Sequence, residues 1–468
     1  MKTRSPKSKN VKSAFILAGV SSGVGKTTLT LGLIRALKNA NYTVQPFKAG
    51  PDFIDPVFHR LAAGRASYNL DTWMMGEKNV LRSFSQRDDW NIGIVEGVMG
   101  LFDGRGDSKN NGSAASLAKL LGLPVILVVN GASIANSIAA VVHGFESFDR
   151  GVRVAGVIFN NVNSERHFEL LRAAVVARCN AKVLGYLSEI PDAKISSRHL
   201  GLKLPADDDA TNQKIEMIAA AVERTVQLKQ LIALTRIKPD NGFVPDRKKP
   251  PKPNRTMIKL GVAYDQAFCF YYEDNFSLLQ DYGAELIFFS PLKDKKLPRG
   301  IQGLYLGGGY PEVFASRLSK NVQLRDSIRE SAALNLPIYG ECGGLMYLGK
   351  SLIHTDQSVY PMAGVFPWVS HFPAPKRILG YRDVVISKAS PFFPVKAKIR
   401  GHEFHYSNIA QFEGVETIYA VRGKTGAMYP EGYRIGNALA SYVHVHFASN
   451  VRFAESFVSL CRSAGVIV

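Results

Sequence analysis

The sequence predicts an α/β protein of two doubly wound domains, the first built on a parallel sheet. Three observations predict it. At 468 residues the chain exceeds one ordinary core. Apolar segments of strand length alternate with segments of helical spacing in both halves, and such alternation lays parallel strands between layers of helix. Between the halves, KPDNGFVPDRKKPPKPNRT is too rich in proline and lysine to sustain a helix or a central strand. Residues 238–256 therefore read as a linker between domains at 13–237 and 257–468, with a basic tail at 1–12.

Composition narrows the function classes. Hydrophobic content of 46% and charged content of 21% are those of a globular chain. No apolar run reaches the length of a membrane span, and MKTRSPKSKN lacks the apolar centre of a signal peptide, so the expectation is a cytoplasmic protein with no membrane partner. The net charge of +19 would suggest a nucleic-acid partner, but ten of those charges fall in the tail and in residues 236–255. A solvated tail and linker are the expected reading, without a nucleic-acid partner, and the remaining positive charge suits an acidic substrate such as a polycarboxylate. Four scattered cysteines form no C-x-x-C pair, which argues against a disulfide framework or a structural zinc site.

The first strand runs from Phe15 into the glycine-rich turn of SSGVGKTT, and a helix begins near Thr27. This is the layout of a phosphate-binding loop, although the glycine that the strict pattern places at position 20 is found at Gly19. Main-chain N–H groups around Gly23 and Gly25 can surround a polyphosphate where no side chain obstructs its approach. Lys26 then reaches the outer phosphates, and Thr27, with Thr28 beside it, ligates the accompanying magnesium. The expected cofactors are ATP and Mg2+.

The second strand, TVQPFK, leads into KAGPDFIDP; further strands are expected in IGIVEG, PVILVVN, VRVAGVIFNN and KVLGYL, and one helix over IEMIAAAVERTVQLKQLIAL. Lys48, Glu96, Asn130 and Asn160 fall at strand ends, where ligands of such sheets bind. Asp52, Glu96 and Asp103 are the candidate metal carboxylates, and Asp55 the candidate for substrate activation. Lys48 offers a second cation for a transferred phosphoryl group, and the Asn160 amide could read an adenine edge.

Strands IKLGVAYD, ELIFF, GLYLGGG and LPIYGECGG open the second domain, followed by antiparallel strands near Ile399–Ser407 and Asn437–His446. In YGECGG, Cys342 sits between strand and helix among glycines, as a nucleophile elbow would place it. There the helix dipole is expected to favour thiolate. Gly308, Gly309 and Gly343 are candidate oxyanion donors. His444 and His446 are expected on one face of a strand, with one as general base, while His402 and His405 in GHEFHYS are alternative bases or substrate ligands. Tyr381 and Arg382 are candidates for gripping a carboxylate-rich substrate.

Taken together, SSGVGKTT, FKAGPDFIDP, YNLDTWM, EGVMGLFDG, SRHLGL, GGGYPE, YGECGG, GHEFHYS and SYVHVHFASN span nearly the whole chain. The first domain resembles the dethiobiotin synthetase-like ATPases. The second resembles the class I glutamine amidotransferases of the cobyric acid synthase branch, and the full set resembles the cobyrinic acid a,c-diamide synthase family. The resemblance implies an N-terminal P-loop parallel-sheet domain, a C-terminal class I glutaminase-like domain, and ATP- and glutamine-dependent amidation of a tetrapyrrole polycarboxylate. It assigns Cys342 as nucleophile, His444 as its base, Lys26 and Thr27 to phosphate and magnesium, and Asp52, Asp55 and Asp103 to metal binding and carboxylate activation. The acid found two residues after the histidine in the wider class is replaced here by His446, so the resemblance implies a Cys–His dyad. A homodimer is one assembly it allows. The same chemistry on hydrogenobyrinic acid or nickel sirohydrochlorin is the nearer alternative, and a DNA-associated partitioning ATPase the distant one. Against the latter, Ser21 stands where those proteins carry a signature lysine.

Overall fold

A computed structural model describes residues 12–86, 89–104, 112–193, 209–237, 257–410, 413–423 and 426–464. The expected linker, SRHLGL and all of the tail but Lys12 lie outside the described residues. The chain divides into two compact units, Met1–Arg247 and Lys248–Val468.

Seven strands form the sheet of the first unit: β1 (Ser13–Gly19), β2 (Val44–Ala49), β3 (Tyr68–Leu70), β4 (Ile92–Gly100), β5 (Val125–Asn130), β6 (Val154–Asn160) and β7 (Lys182–Leu187). Their order is β3-β2-β4-β1-β5-β6-β7, and every pairing is parallel. β1 reads SAFILAG and is buried along its length, because helices cover both faces of a sheet of this kind. Register sets Lys48 beside Glu96 at the carboxyl end of the sheet. The helix expected over 215–234 is two helices, Asp209–Thr225 and Leu228–Leu234. The chain leaves the first to bridge Val226 to Gly185, a tertiary contact that overrides good helical sequence.

The second unit holds β8 (Ile258–Ala263), β9 (Ala284–Phe289), β10 (Gly303–Leu306) and β11 (Ile338–Glu341), then β12 (Ser351–Ile353), β13 (Val359–Pro361), β14 (Val369–His371), β15 (Ile378–Ile386), β16 (Lys398–His405) and β17 (Asn408–Ile409). It ends with β18 (Glu416–Arg422), β19 (Met428–Ile435), β20 (Ala438–Ser441) and β21 (His444–Val445). The main sheet runs β21-β16-β15-β18-β19-β20-β11-β10-β8-β9, with β13-β12-β14-β17 forming a smaller one. Pairings from β9 to β20 are parallel and those from β20 to β21 antiparallel. The strand expected over Asn437–His446 is broken. β20 joins the parallel half, the chain bends through Tyr442 and Val443, and β21 pairs with β16, while His446 caps the short helix Phe447–Ser449. His444 and His446 therefore do not share a strand face.

Candidate functional site

In the first unit, Gly25 ends the turn after β1 at φ +91°, and helix Lys26–Asn39 starts directly after it. A Cβ on Gly25 would lie 2.0 Å from Asn160 Nδ2, so this glycine permits an approach that no other residue would. Asn160 uses that approach to donate to the Val24 carbonyl at 2.9 Å. That amide N–H holds the loop, while the side chain also lines the cavity. Lys26 lies across its own loop, with Nζ donating to the Ser21 carbonyl at 2.9 Å.

Glu96 is the hub of this site. Fully buried, it accepts the Thr27 hydroxyl at 2.7 Å and Lys48 Nζ at 2.9 Å on Oε1, and contacts His59 Nε2 at 2.7 Å through Oε2. Burial alone would raise its pKa, but the neighbouring Lys48 and His59 outweigh it and hold the carboxyl well below the usual range. Lys48 also donates to Asp55 at 2.5 Å; burial would lower the lysine, and the two carboxylates reverse that, so it stays charged. Burial, with the charge of Asp52, pushes Asp55 up to about 8. His59 is absent from the sequence expectations, although Asp55 and His59 lie four apart in FIDPVFH, and thus on one face of helix Ile54–Ala63.

The loop, Thr27, Thr28, Lys48, Asp55 and Glu96 line one cavity of about 520 Å3, with Asn160 on its wall. Positive-φ glycines, a lysine and a threonine bonded to a buried carboxylate fit a nucleotide with its divalent cation. The two other acids are placed differently from the expectation. Asp52 caps helix Ile54–Ala63 through the Ile54 and Asp55 N–H groups, and exposed Asp103 accepts from Gly100 N–H at 2.8 Å. Neither lines the cavity.

In the second unit, Cys342 adopts φ +49° and ψ −99° between β11 and helix Gly343–Leu348, a strained geometry for a residue with a Cβ. The packing explains the glycines around it: a Cβ on Gly344 would lie 2.1 Å from the Leu306 carbonyl, and one on Gly343 3.0 Å from Gly309 N. The elbow is tied down where Cys342 N–H meets the Ser441 carbonyl at 2.8 Å, and Sγ lies 3.8 Å from the Phe404 carbonyl.

His444 is paired in register with His402, and its ring fills the space over Gly308, where a Cβ would be 2.3 Å from Cε1. Gly308 N–H is bonded to the Phe270 carbonyl at 3.3 Å, which removes it from the candidate oxyanion donors and leaves Gly309 and Gly343. Burial, reinforced by the charge of Glu312, pushes the thiol pKa up, and the Gly343 N–H works in the opposite direction. Burial, with the nearby His402 and His405, lowers His444 to about 3.

Two further expectations change. Arg382 is buried and paired with Glu403 at 2.7 Å, with Tyr429 Oη at 3.1 Å, so its charge is used inside the unit. His405 stacks on Tyr442 with ring centroids 3.8 Å apart and contacts the Ser407 carbonyl through Nδ1, a core role. Tyr381 lies opposite His402 on the adjacent strand, 5.7 Å between rings. Buried Glu341, one residue before the nucleophile, also falls outside the sequence expectations. It accepts from Tyr339, Tyr305 and Val445 N–H and so holds the strand that carries His444.

Residues 15–202 match the CobQ/CobB/MinD/ParA nucleotide binding domain family, and residues 259–451 the CobB/CobQ-like glutamine amidotransferase domain family. The chain is 40% identical over 452 residues to a cobyrinate a,c-diamide synthase of Priestia megaterium, covering 96% of this chain and 97% of that one. To the synthase of that name in Thermoplasma volcanium it is 41% identical, covering 95% and 96%. A third, from Streptococcus sanguinis, is 40% identical over 96% and 99%. Among the described residues, no helix is long and apolar enough to cross a membrane.

Proposed function

Because the chain belongs to the cobyrinate a,c-diamide synthase family, we propose that its two sites divide one reaction, the amidation of the a and c acetate carboxylates of cobyrinic acid. It is a glutamine-dependent ligase of cobalamin biosynthesis with an ATP-binding domain. The observation that carries the division of labour is the pairing, in one chain, of a phosphate loop bonded through Thr27 to the buried carboxylate of Glu96 with a thiol on a strained elbow.

At the first site, Thr27 and Glu96 are suited to hold Mg2+, and Gly23, Gly25 and Lys26 to hold the phosphates of ATP. A substrate carboxylate oxygen attacks the terminal phosphorus and ADP leaves, giving an acyl phosphate. Ammonia then attacks the acyl carbon and phosphate departs. At the second site, Cys342 Sγ attacks the glutamine amide carbon as its proton passes to His444, which returns it to the departing ammonia; water then cleaves the thioester to glutamate. Gly309 and Gly343 N–H face the developing oxyanion. A cytoplasmic location, no nucleic-acid partner and a homodimer belong to the same proposal.

The test is turnover with ATP, Mg2+ and glutamine on cobyrinic acid, hydrogenobyrinic acid and nickel sirohydrochlorin in parallel, products identified by mass. We expect two successive carboxylate-to-amide changes on cobyrinic acid, faster than on the others. Preference for another macrocycle would contradict the assigned substrate.

A further inference from the structure

Four buried carboxylates surround the Cys342 elbow, and three are satisfied inside the protein. Glu341 accepts from two tyrosine hydroxyls and Val445 N–H. Glu403 is paired with Arg382 and Tyr429. Glu431 accepts from the Ser441 hydroxyl at 2.6 Å and Tyr442 N–H at 2.6 Å.

Glu312 differs. It is 8% exposed, yet its carboxylate meets no cation or hydroxyl among the described residues; its one polar tie is to its own N–H. Its main chain, by contrast, is anchored. The carbonyl contacts His354 Nε2 at 3.1 Å and Ala315 N–H at 3.3 Å, and a Cβ on Gly343 would lie 2.9 Å from the ring of the preceding Pro311. That packing fixes Glu312 beside the nucleophile's helix. Burial pushes its carboxyl up to about 7, and after burial its charge is the largest influence raising the Cys342 thiol.

A buried, unpaired carboxylate is unfavourable, and beside a sulfur that must lose a proton it opposes the first chemical step. A cation that arrives with the substrate removes both penalties. Glutamine carries one such group, its α-ammonium. We propose that Glu312 receives the α-ammonium of glutamine and so restricts the Cys342 site to amides of α-amino acids. The proposal rests on reading Cys342 as the glutaminase nucleophile. It also makes attack dependent on a correctly seated substrate, because pairing Glu312 removes the charge that holds the proton on Sγ.

The test compares glutamine with 4-carbamoylbutanoate, which keeps the amide and the carboxylate but lacks the ammonium. In Glu312→Gln the KM for glutamine should rise about 10- to 100-fold with kcat within about threefold, the range expected for a charge-assisted hydrogen bond. The preference for glutamine over 4-carbamoylbutanoate should fall by a similar factor. Ammonia-supported amidation should stay at the parent level, which reports on folding, and Glu312→Asp, which keeps the charge, should restore most of the preference. An unchanged preference in Glu312→Gln overturns the assignment. Glutamine-dependent activity surviving Cys342→Ser has a different signature and overturns it together with the reading on which it rests.

Discussion

Cys342→Ser loses glutamine-dependent amidation by a factor on the order of 10^4 or more, as removal of a catalytic nucleophile does elsewhere, while amidation fed by ammonium salts at mildly alkaline pH continues. The split follows from placement. Cys342 is built into the turn between β11 and helix Gly343–Leu348, and serine can occupy the same strained backbone, so the substitution removes sulfur and little else. Nitrogen supplied from solution does not need the thioester. The check is steady-state amidation with each nitrogen source. Equal loss on both would mean that Cys342 supports the fold or the other reaction, and would contradict a separate glutaminase site.

Glu96→Gln gives the opposite pattern, with both nitrogen sources losing activity together by about 10^2- to 10^3-fold, the scale of removing one aligned charge from a transition state. The amide is isosteric and keeps an acceptor for Thr27 and Lys48, and Lys48 retains Asp55, so the cluster has a route to remain folded. What it loses is the negative charge that faces Thr27 and Lys48. Amidation with ammonium as the nitrogen source, measured across Mg2+ concentrations, checks this. Ammonium-driven turnover at the parent rate would remove Glu96 from the reaction.

These contrasting patterns rest on features that differ in how far the sequence displays them. The phosphate loop and the elbow are legible because glycine is required where backbone must approach closely: Gly25 against Asn160, Gly344 against Leu306. The place of Lys48 near the end of β2 follows from an apolar run of fixed length, whereas Glu96, expected at a strand end, lies midway along β4, which continues to Gly100. Arg382 is not legible in the same way. The sequence offers it as a cation for gripping a carboxylate-rich substrate, and only Glu403 on the neighbouring strand makes its burial tolerable. The helix break at Val226 is likewise set by Gly185, some forty residues earlier in sequence, and local propensity carries no trace of it. The state of the Cys342 thiol depends on a balance between helix N-terminus and burial, and sequence shows only the first. Asp55 and His59 carried a readable signal, the four-residue spacing, but the partner that gives it meaning, Glu96, comes from another strand.

The most direct test of the central claim, that ATP converts a substrate carboxylate into an acyl phosphate before nitrogen arrives, is oxygen transfer. Cobyrinic acid carrying oxygen-18 in its carboxylates is turned over with ATP, Mg2+ and glutamine in unlabelled water, and the released phosphate is analysed by mass. One labelled oxygen in phosphate for each amide formed is the predicted result. Amide formation with unlabelled phosphate would contradict the account, because the oxygen that leaves the carboxylate would then never have been bonded to phosphorus.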